Sequence, residues 1–144
     1  MPEHAVKISW IKKGEFSHES INRNHIIQFE ESCSLQAAGA NNGKVSDPEQ
    51  MFAASLSSCH MQTFLILASK KRLVVESYED EAVAVLEKNA EGLFHVSRVI
   101  LNPKVTFSAD TPVSKEALGK MHEKSHRHCF IANSINCEVK IEEQ

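Results

Sequence analysis

The sequence feature that most constrains the fold is a 24-residue stretch, 47–70, that contains no glycine and only one proline, at its second position. Asp47 is a favourable N-cap, Pro48 suits the first helical position, and Glu49 places a negative charge at the helix N-terminus. Apolar side chains cover nearly the whole circumference of the remainder, which is typical of a buried helix. Such a helix is about 36 Å long, so we expect a partner subunit to cover part of it.

The other elements are predicted from hydrophobic periodicity and from turn residues. The sequence predicts strands over 4–11 and 135–141, one or two strands over 25–36, β-rich stretches over 74–88 and 93–107, and a second helix over 114–126. The two β-rich stretches are interpreted as a hairpin with a break near Asn102–Pro103. This order of elements predicts an α+β fold in one domain over residues 1–144.

Composition excludes several classes of protein. The chain has 144 residues, of which 42% are hydrophobic and 24% charged, as in an ordinary globular domain. The formal net charge of −3 gives no global attraction to nucleic acid or to an anionic membrane surface. No apolar run near residue 1 resembles a secretion signal, and no long apolar stretch carries the Trp or Tyr flanks of a membrane span. We therefore expect a cytoplasmic protein with reduced cysteines and no membrane partner.

One of the four cysteines lies inside the long predicted helix. Cys59 has polar neighbours in Ser57, Ser58 and His60, although the helix is otherwise apolar. Polar groups in a protein core need hydrogen-bond partners, so we expect this turn of helix to face a polar cavity. Considered alone, a buried cysteine is most often a packing residue.

A second cysteine follows the other predicted helix. Cys129 comes directly after His126, Arg127 and His128, a basic run that favours the thiolate form. Cys59 and Cys129 are 70 residues apart, so only the fold could bring them together. Cys33 and Cys137 fall on predicted strands, and we interpret both as packing residues.

Two further patterns can be interpreted either as functional sites or as ordinary surface residues. His122, His126 and Cys129 are spaced at i, i+4 and i+7, which puts metal-ligand types on one helix face. The simpler interpretation, a solvated and histidine-rich helix end, is preferred because neighbouring cationic residues would oppose a metal dication. Arg23 enters a predicted strand, where an arginine is most often exposed.

Three segments together resemble a known protein family. They are Arg23-Asn24-His25 before an early strand, the run from Asp47 to His60 with its Pro-Glu-x₉-Cys-His pattern, and His126 to Cys129 before a closing strand. The chain resembles the OsmC/Ohr family, osmotically inducible protein C and organic hydroperoxide resistance proteins, over nearly its whole length. The sequence context of Arg23 and the histidine after Cys59 resemble the OsmC-like branch.

The resemblance implies an OsmC-like fold in which two long helices are buried at the centre of an intertwined homodimer. It also implies a thiol-dependent peroxidase that reduces organic hydroperoxides in oxidative stress defence. Cys59 then corresponds to the peroxidatic cysteine, Cys129 to the resolving cysteine, and Arg23 and Glu49 to an arginine–carboxylate pair beside the thiolate. The implied reductant is an external dithiol, either a lipoyl group or a small thiol, and no bound metal or flavin is implied.

Physical chemistry is compatible with these implied roles. Cys59 lies mid-helix, too far from the helix N-terminus to be stabilised by it, so a cation such as Arg23 must stabilise its thiolate. Glu49 precedes Cys59 by ten residues, about 15 Å along a straight helix, so Glu49 can reach the site only from a partner subunit. Apolar neighbours such as Phe52 and Met51 favour an alkyl peroxide over hydrogen peroxide.

Two alternatives remain open at the level of the sequence. The first is a non-enzymatic dimer of the same fold that binds a small hydrophobic ligand or senses oxidation. The second is a metal-binding protein that uses His122, His126 and Cys129.

Overall fold

A computed structural model describes residues 2–143 and divides them into two compact units, the first ending at Met51 and the second beginning at Phe52. The described elements are β1 (Lys7–Ser9), β2 (His25–Glu30), β3 (Cys33–Ala37), α1 (Pro48–Lys70), β4 (Val75–Asp80), β5 (Val83–Lys88), β6 (Phe94–Leu101), β7 (Pro103–Phe107), α2 (Lys115–His128), a short 3-10 helix (Ala132–Ser134) and β8 (Glu138–Ile141). The expectation of a single domain over residues 1–144 stays a prediction.

The first unit contains a three-stranded antiparallel sheet in the order β1-β2-β3. The strand predicted over 4–11 is formed only over Lys7–Ser9, and the stretch 25–36 forms the β2–β3 hairpin. Ile27 is buried, but Ile8, directly opposite it on β1, is 65% exposed. This sheet therefore leaves much of its own apolar surface uncovered.

Helix α1 begins at Pro48, as predicted, because its first turn is capped on both sides. The backbone N–H of Gln50 donates to Asp47 Oδ1 at 2.8 Å, and the backbone N–H of Asp47 donates to Gln50 Oε1 at 3.0 Å. This reciprocal pair is a capping box. At the other end, Arg72 adopts a left-handed φ of 59°, and the N–H of Leu73 donates to the carbonyl of Ala68 at 2.9 Å, which closes the helix in a Schellman-type turn.

One stripe of α1 is buried within the chain. Its members are spaced three or four residues apart and are Ala53, Leu56, His60, Phe64 and Ala68. Most other apolar side chains of the helix are only half-buried, and Ile66 is 56% exposed. Within residues 2–143, α1 is the one helix with the length and apolar composition of a membrane span. Its buried stripe is that of a core helix.

The second unit contains two small sheets. β4 pairs antiparallel with β7, while β5 pairs antiparallel with β6, to which β8 adds in parallel. The predicted hairpin is confirmed, and so is the break near Asn102–Pro103, where β6 ends and β7 begins. The first β-rich stretch is also divided in two, at Glu81–Ala82, which the sequence pattern did not indicate.

Helix α2 begins after Ser114, whose side chain accepts a hydrogen bond from the backbone N–H of Ala117 at 3.1 Å. The helix ends at His128, and Cys129 follows in an extended conformation. The strand predicted over 135–141 is confirmed in a shorter form, Glu138–Ile141. Core packing in the second unit forms two clusters: Ala53, Leu56, Val99, Leu101 and Cys129 in one, and Phe64, Ala68 and Met121 in the other.

Candidate functional site

The fold brings two cysteines together. Cys59 lies half-buried on α1, Cys129 lies fully buried just after α2, and the Cys59 side chain is close enough to Cys129 to contribute to the pKa of its thiol. Cys59 packs against the core cluster that contains Cys129. Both are free thiols. Two sulfurs 70 residues apart in the sequence are therefore neighbours.

The surroundings of Cys129 favour its protonated form. Burial raises the pKa of the Cys129 thiol to about 11, and the neighbouring Cys59 side chain contributes in the same direction. The backbone N–H of Ala132 donates to Cys129 Sγ at 3.4 Å, which opposes this rise without cancelling it. Cys129 is consequently a thiol at neutral pH.

The polar side chains around Cys59 form hydrogen bonds within the described residues, and the polar cavity expected from the sequence stays a prediction. The Ser57 hydroxyl donates to the Asp80 carboxylate, and the amide of Gln62 donates to the Ser58 hydroxyl at 3.1 Å. The Thr63 hydroxyl donates to the carbonyl of Cys59 at 2.9 Å. Each polar side chain has a separate partner, most of them on α1 itself, because serine and threonine in a helix readily bond to the preceding turn.

A buried histidine pair connects α1 and α2. His60 and His122 are each 1% exposed, their rings stack with centroids 5.3 Å apart, and His60 Nε2 lies 3.0 Å from His122 Nδ1. Because both rings are neutral, one nitrogen of the pair donates and the other accepts. The remaining nitrogens, His60 Nδ1 and His122 Nε2, are buried without a hydrogen-bond partner in the described chain.

Burial keeps both rings of this pair uncharged. Desolvation lowers the pKa of His60 to about 4, and the repulsion that a proton on a neighbouring ring, His122 or His126, would exert acts in the same direction. Desolvation likewise lowers the pKa of His122 to about 4, although the Asp80 carboxylate opposes the change. The prediction of a solvated histidine-rich helix end is therefore wrong for His122, because that side chain points into the core.

The metal-binding alternative, with His122, His126 and Cys129 on one helix face, is not formed by the described residues. α2 ends at His128, so Cys129 leaves the helix face that carries His122 and His126. Within residues 2–143, no group of three or more His, Cys, Asp or Glu side chains is placed to hold a metal ion. His122 instead contacts His60 and stacks on Phe64, with ring centroids 4.6 Å apart.

Arg23 belongs to the first unit, where its guanidinium lies against a glycine. A Cβ atom placed on Gly39 would be 2.6 Å from both Cζ and Nη1 of Arg23 and 3.0 Å from its Nε. The Arg23 residue is otherwise exposed, and it takes part in none of the ion pairs found within residues 2–143. Its charge is therefore available to a group outside these contacts.

Glu49 also belongs to the first unit and lies in the first turn of α1. Its Oε2 is buried and has no hydrogen-bond partner in the described chain, and it forms no ion pair with Arg23 there. Burial would raise the pKa of the neighbouring Asp47, but backbone hydrogen bonds from Gln50 and Asn41 outweigh it and hold that pKa below its usual value. The contribution of Glu49 to a site on a partner subunit stays a prediction.

The loop that precedes α1 is fixed by one asparagine side chain. Asn42 Oδ1 accepts from the backbone N–H groups of Lys44 and Val45, both at 2.8 Å. Asn42 Nδ2 donates to the carbonyls of Gly39 and Val45 at 2.8 and 3.1 Å. All four hydrogen-bonding positions of the amide are thus used, which makes this loop a rigid part of the first unit.

Sequence reasoning did not identify His60 or Gly39 as site residues. The signal for His60 was a histidine in an otherwise apolar helix, in a chain with eight histidines. For Gly39 there was no signal, because its partner Arg23 lies 16 residues earlier and the contact depends on the folded loop.

Comparisons with known proteins agree with the fold described above. The model of the family described as OsmC-like protein matches residues 41–144. An OsmC-like protein of unknown function from Vibrio cholerae is 38% identical, with a TM-score of 0.92 over 100% of both chains. An organic hydroperoxide resistance protein from Legionella pneumophila is 20% identical, with a TM-score of 0.75 over 100% of this chain and 98% of that chain.

A third structure, the organic hydroperoxide resistance protein of Bacillus subtilis, is 18% identical, with a TM-score of 0.68 over 97% of this chain and 98% of that chain. A search of curated proteins found no match. At 20% and 18% identity the likeness shows the fold alone, and together the matches confirm the predicted α+β architecture.

Proposed function

Because the chain belongs to the OsmC-like family, we propose that it is a thiol-dependent peroxidase that reduces organic hydroperoxides. Family membership, together with neighbours named as hydroperoxide resistance proteins, supports a redox or stress role. The observation that carries the finer proposal is the packing of Cys59 against the core cluster that contains Cys129, where the Cys59 side chain contributes to the raised pKa of the Cys129 thiol. A pair of reduced, neighbouring thiols is the arrangement that a disulfide cycle requires.

The proposed cycle begins at Cys59. Its thiolate attacks the terminal oxygen of the hydroperoxide, the O–O bond breaks, and the alkoxide leaves as an alcohol after taking up the proton that Cys59 had lost. Cys59 becomes a sulfenic acid. The thiol of Cys129 then attacks the Cys59 sulfur, the sulfenic oxygen leaves as water with the Cys129 proton, and a Cys59–Cys129 disulfide forms. An external dithiol, such as a lipoyl group, reduces this disulfide and is itself oxidised to a disulfide.

The different environments of the two thiols support this division of roles. Cys129 is fully buried and its pKa is raised, so it remains protonated until an oxidised sulfur is next to it. Cys59 is only half-buried, so a peroxide can reach it more easily. We assign the stabilisation of the Cys59 thiolate to Arg23, whose guanidinium is always charged, with Glu49 orienting that guanidinium.

The proposal includes a homodimer in the cytoplasm. α1 buries only one stripe within the chain, and Ile66 on its other side is 56% exposed. In the first unit, Val6, Ile8, Ile11 and Phe16 are each more than half exposed. Exposed apolar patches normally mark interaction sites, and we assign these exposed side chains to contacts with a second copy of the chain, which would also bring a second Glu49. Sedimentation or light scattering should give twice the chain mass.

The test is turnover of cumene and t-butyl hydroperoxide with dihydrolipoamide or dithiothreitol as reductant. Cys59→Ser should abolish peroxide consumption, whereas Cys129→Ser should consume about one equivalent and then stop, because the sulfenic acid has no resolving thiol. Cys33→Ser is the matched control, since Cys33 is an exposed cysteine at the start of β3, and it should keep full turnover.

Mass spectrometry after peroxide treatment should detect a Cys59–Cys129 disulfide. If the wild-type protein consumes no organic hydroperoxide with any dithiol, the peroxidase proposal is wrong. In that case the non-enzymatic dimer that binds a hydrophobic ligand or senses oxidation becomes the better explanation.

A further inference from the structure

We propose that Gly39 is a positioning residue for Arg23, because its missing side chain provides the surface on which the guanidinium rests. This inference rests on the proposed function, which gives the Arg23 charge a role beside the Cys59 thiolate. Both residues belong to the first unit, and the contact between them lies wholly within it.

The contact is too close for any side chain at position 39. The three heavy atoms nearest to a Cβ placed there are Cζ, Nη1 and Nε of Arg23, at 2.6, 2.6 and 3.0 Å. Ordinary Cβ atoms do not approach other heavy atoms to less than 3.0 Å. Three atoms of one planar group at similar distances mean that the guanidinium lies across the glycine.

Backbone conformation does not explain why residue 39 is a glycine. The glycines with a positive φ among the described residues are Gly14, Gly43 and Gly92, and Gly39 is not one of them. Gly39 therefore does not use the left-handed conformation that usually requires glycine, and the feature that excludes a side chain there is the close approach of Arg23.

The loop around Gly39 is fixed, whereas the guanidinium is not. The Gly39 carbonyl accepts from Asn42 Nδ2 at 2.8 Å, and the preceding N–H, on Ala38, donates to the carbonyl of Ser46 at 2.9 Å. The guanidinium is the end of a flexible side chain. When a Cβ is added at position 39, the guanidinium therefore moves and the loop stays.

The expected result of Gly39→Ala is a folded protein with a displaced charge. A shift of about an ångström at a group that stabilises the reacting atoms can lower activity by about 100-fold, so we expect kcat/KM for cumene hydroperoxide to fall at least tenfold. The rate at which iodoacetamide alkylates Cys59 should also fall near neutral pH and recover in alkali, because the thiolate has lost its cation. A purely structural defect would not shift this pH profile.

A double-mutant cycle tests whether Gly39 acts through Arg23. Arg23→Lys removes the planar group, so adding Gly39→Ala to Arg23→Lys should cause no further loss. The matched control is Gly119→Ala in α2, where the nearest atom to a new Cβ is Glu143 Oε1 at 3.4 Å, an ordinary contact. This control should keep wild-type kcat/KM and the wild-type alkylation profile.

Three outcomes would overturn the proposal. The first is a Gly39→Ala protein with full activity and an unchanged alkylation profile, while the Arg23→Lys protein is impaired. The second is a double variant whose loss of kcat/KM equals the sum, in free energy, of the losses of the two single variants. If the Gly39→Ala protein fails to fold, adding Arg23→Ala must restore folding, because the clash is with the guanidinium. The third outcome is a double variant that still fails to fold.

Failure of the proposed function is distinguishable from failure of this inference. A wild-type protein without peroxidase activity contradicts the proposed function. The NMR resonance of the Arg23 Nε–H then still tests the contact, because it should shift in Gly39→Ala and not in Gly119→Ala. An unchanged resonance would overturn the inference.

Discussion

The loop before α1 and the His60–His122 pair differ in how completely their polar groups are hydrogen-bonded. In the loop, the Asn42 amide uses all four hydrogen-bonding positions, each with a nearby backbone group. In the pair, two ring nitrogens are buried with no partner among the described residues, although the rings bond to each other. The loop should therefore be stiff and insensitive to pH, whereas the pair should make stability depend on pH.

The largest effect that separates these two regions should appear on acidification. The pKa values of His60 and His122 are about 4 in the folded chain and 6.5 in the unfolded chain. Between these values the unfolded state binds more protons, so stability falls as pH falls, by on the order of 3 kcal/mol per histidine when complete. Urea unfolding at pH 7, 6, 5 and 4 should show this decline. A free energy of unfolding that is constant from pH 7 to 4 would contradict it.

The next effect concerns the loop. Asn42→Ala removes four hydrogen bonds from a half-buried amide and should lower the free energy of unfolding by about 2 kcal/mol. The loss should be the same at pH 7 and pH 5, because no titratable group is involved. Lys44→Ala, an exposed side chain in the same loop, is the control and should cost little. If Asn42→Ala lowers the free energy of unfolding only at low pH, the loop depends on pH as the histidine pair does, and the contrast between the two regions is wrong.

A smaller effect is expected at the helix cap. Asp47→Ala should cost about 1 kcal/mol, because it removes the side-chain acceptor of the Gln50 N–H, whereas Asp47→Asn keeps an acceptor and should cost less. The Asp47 pKa is lowered from 3.8, so its contribution is present above that pH and is lost only as pH falls below it. Thermal unfolding of the wild type, Asp47→Ala and Asp47→Asn at pH 7 and pH 3 checks both statements. Equal losses of stability in the two variants would contradict the role of Asp47 as the helix cap.

The smallest effect at neutral pH should come from replacing both histidines. His60→Phe combined with His122→Phe removes the donor, the acceptor and both unpartnered nitrogens, so the net change at pH 7 should be within about 1 kcal/mol. The double variant should also lose the decline in stability between pH 6.5 and 4. His60→Phe alone leaves His122 Nδ1 without its partner and should cost about 1–3 kcal/mol. If the double variant retains the acid dependence, other groups cause it.

Elements with strong local signals were predictable. Asp47, Pro48 and Gln50 determine where α1 begins, and Pro103 marks the start of β7 because proline is tolerated at the first residue of a strand but not in its interior. The separation of β4 from β5 at Glu81–Ala82 contains neither glycine nor proline. It results from the pairing of the two strands with different partners, which no local pattern records.

Contacts between distant residues were not predictable from patterns alone. His60 and His122 are 62 residues apart, and their pairing depends on how α1 and α2 pack. The Cys59–Cys129 contact was expected only through the family resemblance, since arithmetic on the sequence cannot place the two sulfurs together. The assignment of Arg23 and Glu49 to the site remains a prediction, although the burial of Glu49 Oε2 without a partner makes it worth testing.

The parallel pairing of β8 with β6 has a consequence for synthesis of the protein. Val139 lies opposite Val99, 40 residues earlier, so β6 emerges from the ribosome long before the strand that completes its sheet. Until then one edge of β6 is open to pairing with other nascent chains. We therefore expect folding of the second unit to finish only after translation of residues 138–141, and chaperones that shield exposed strands should have their largest effect on yield during that interval.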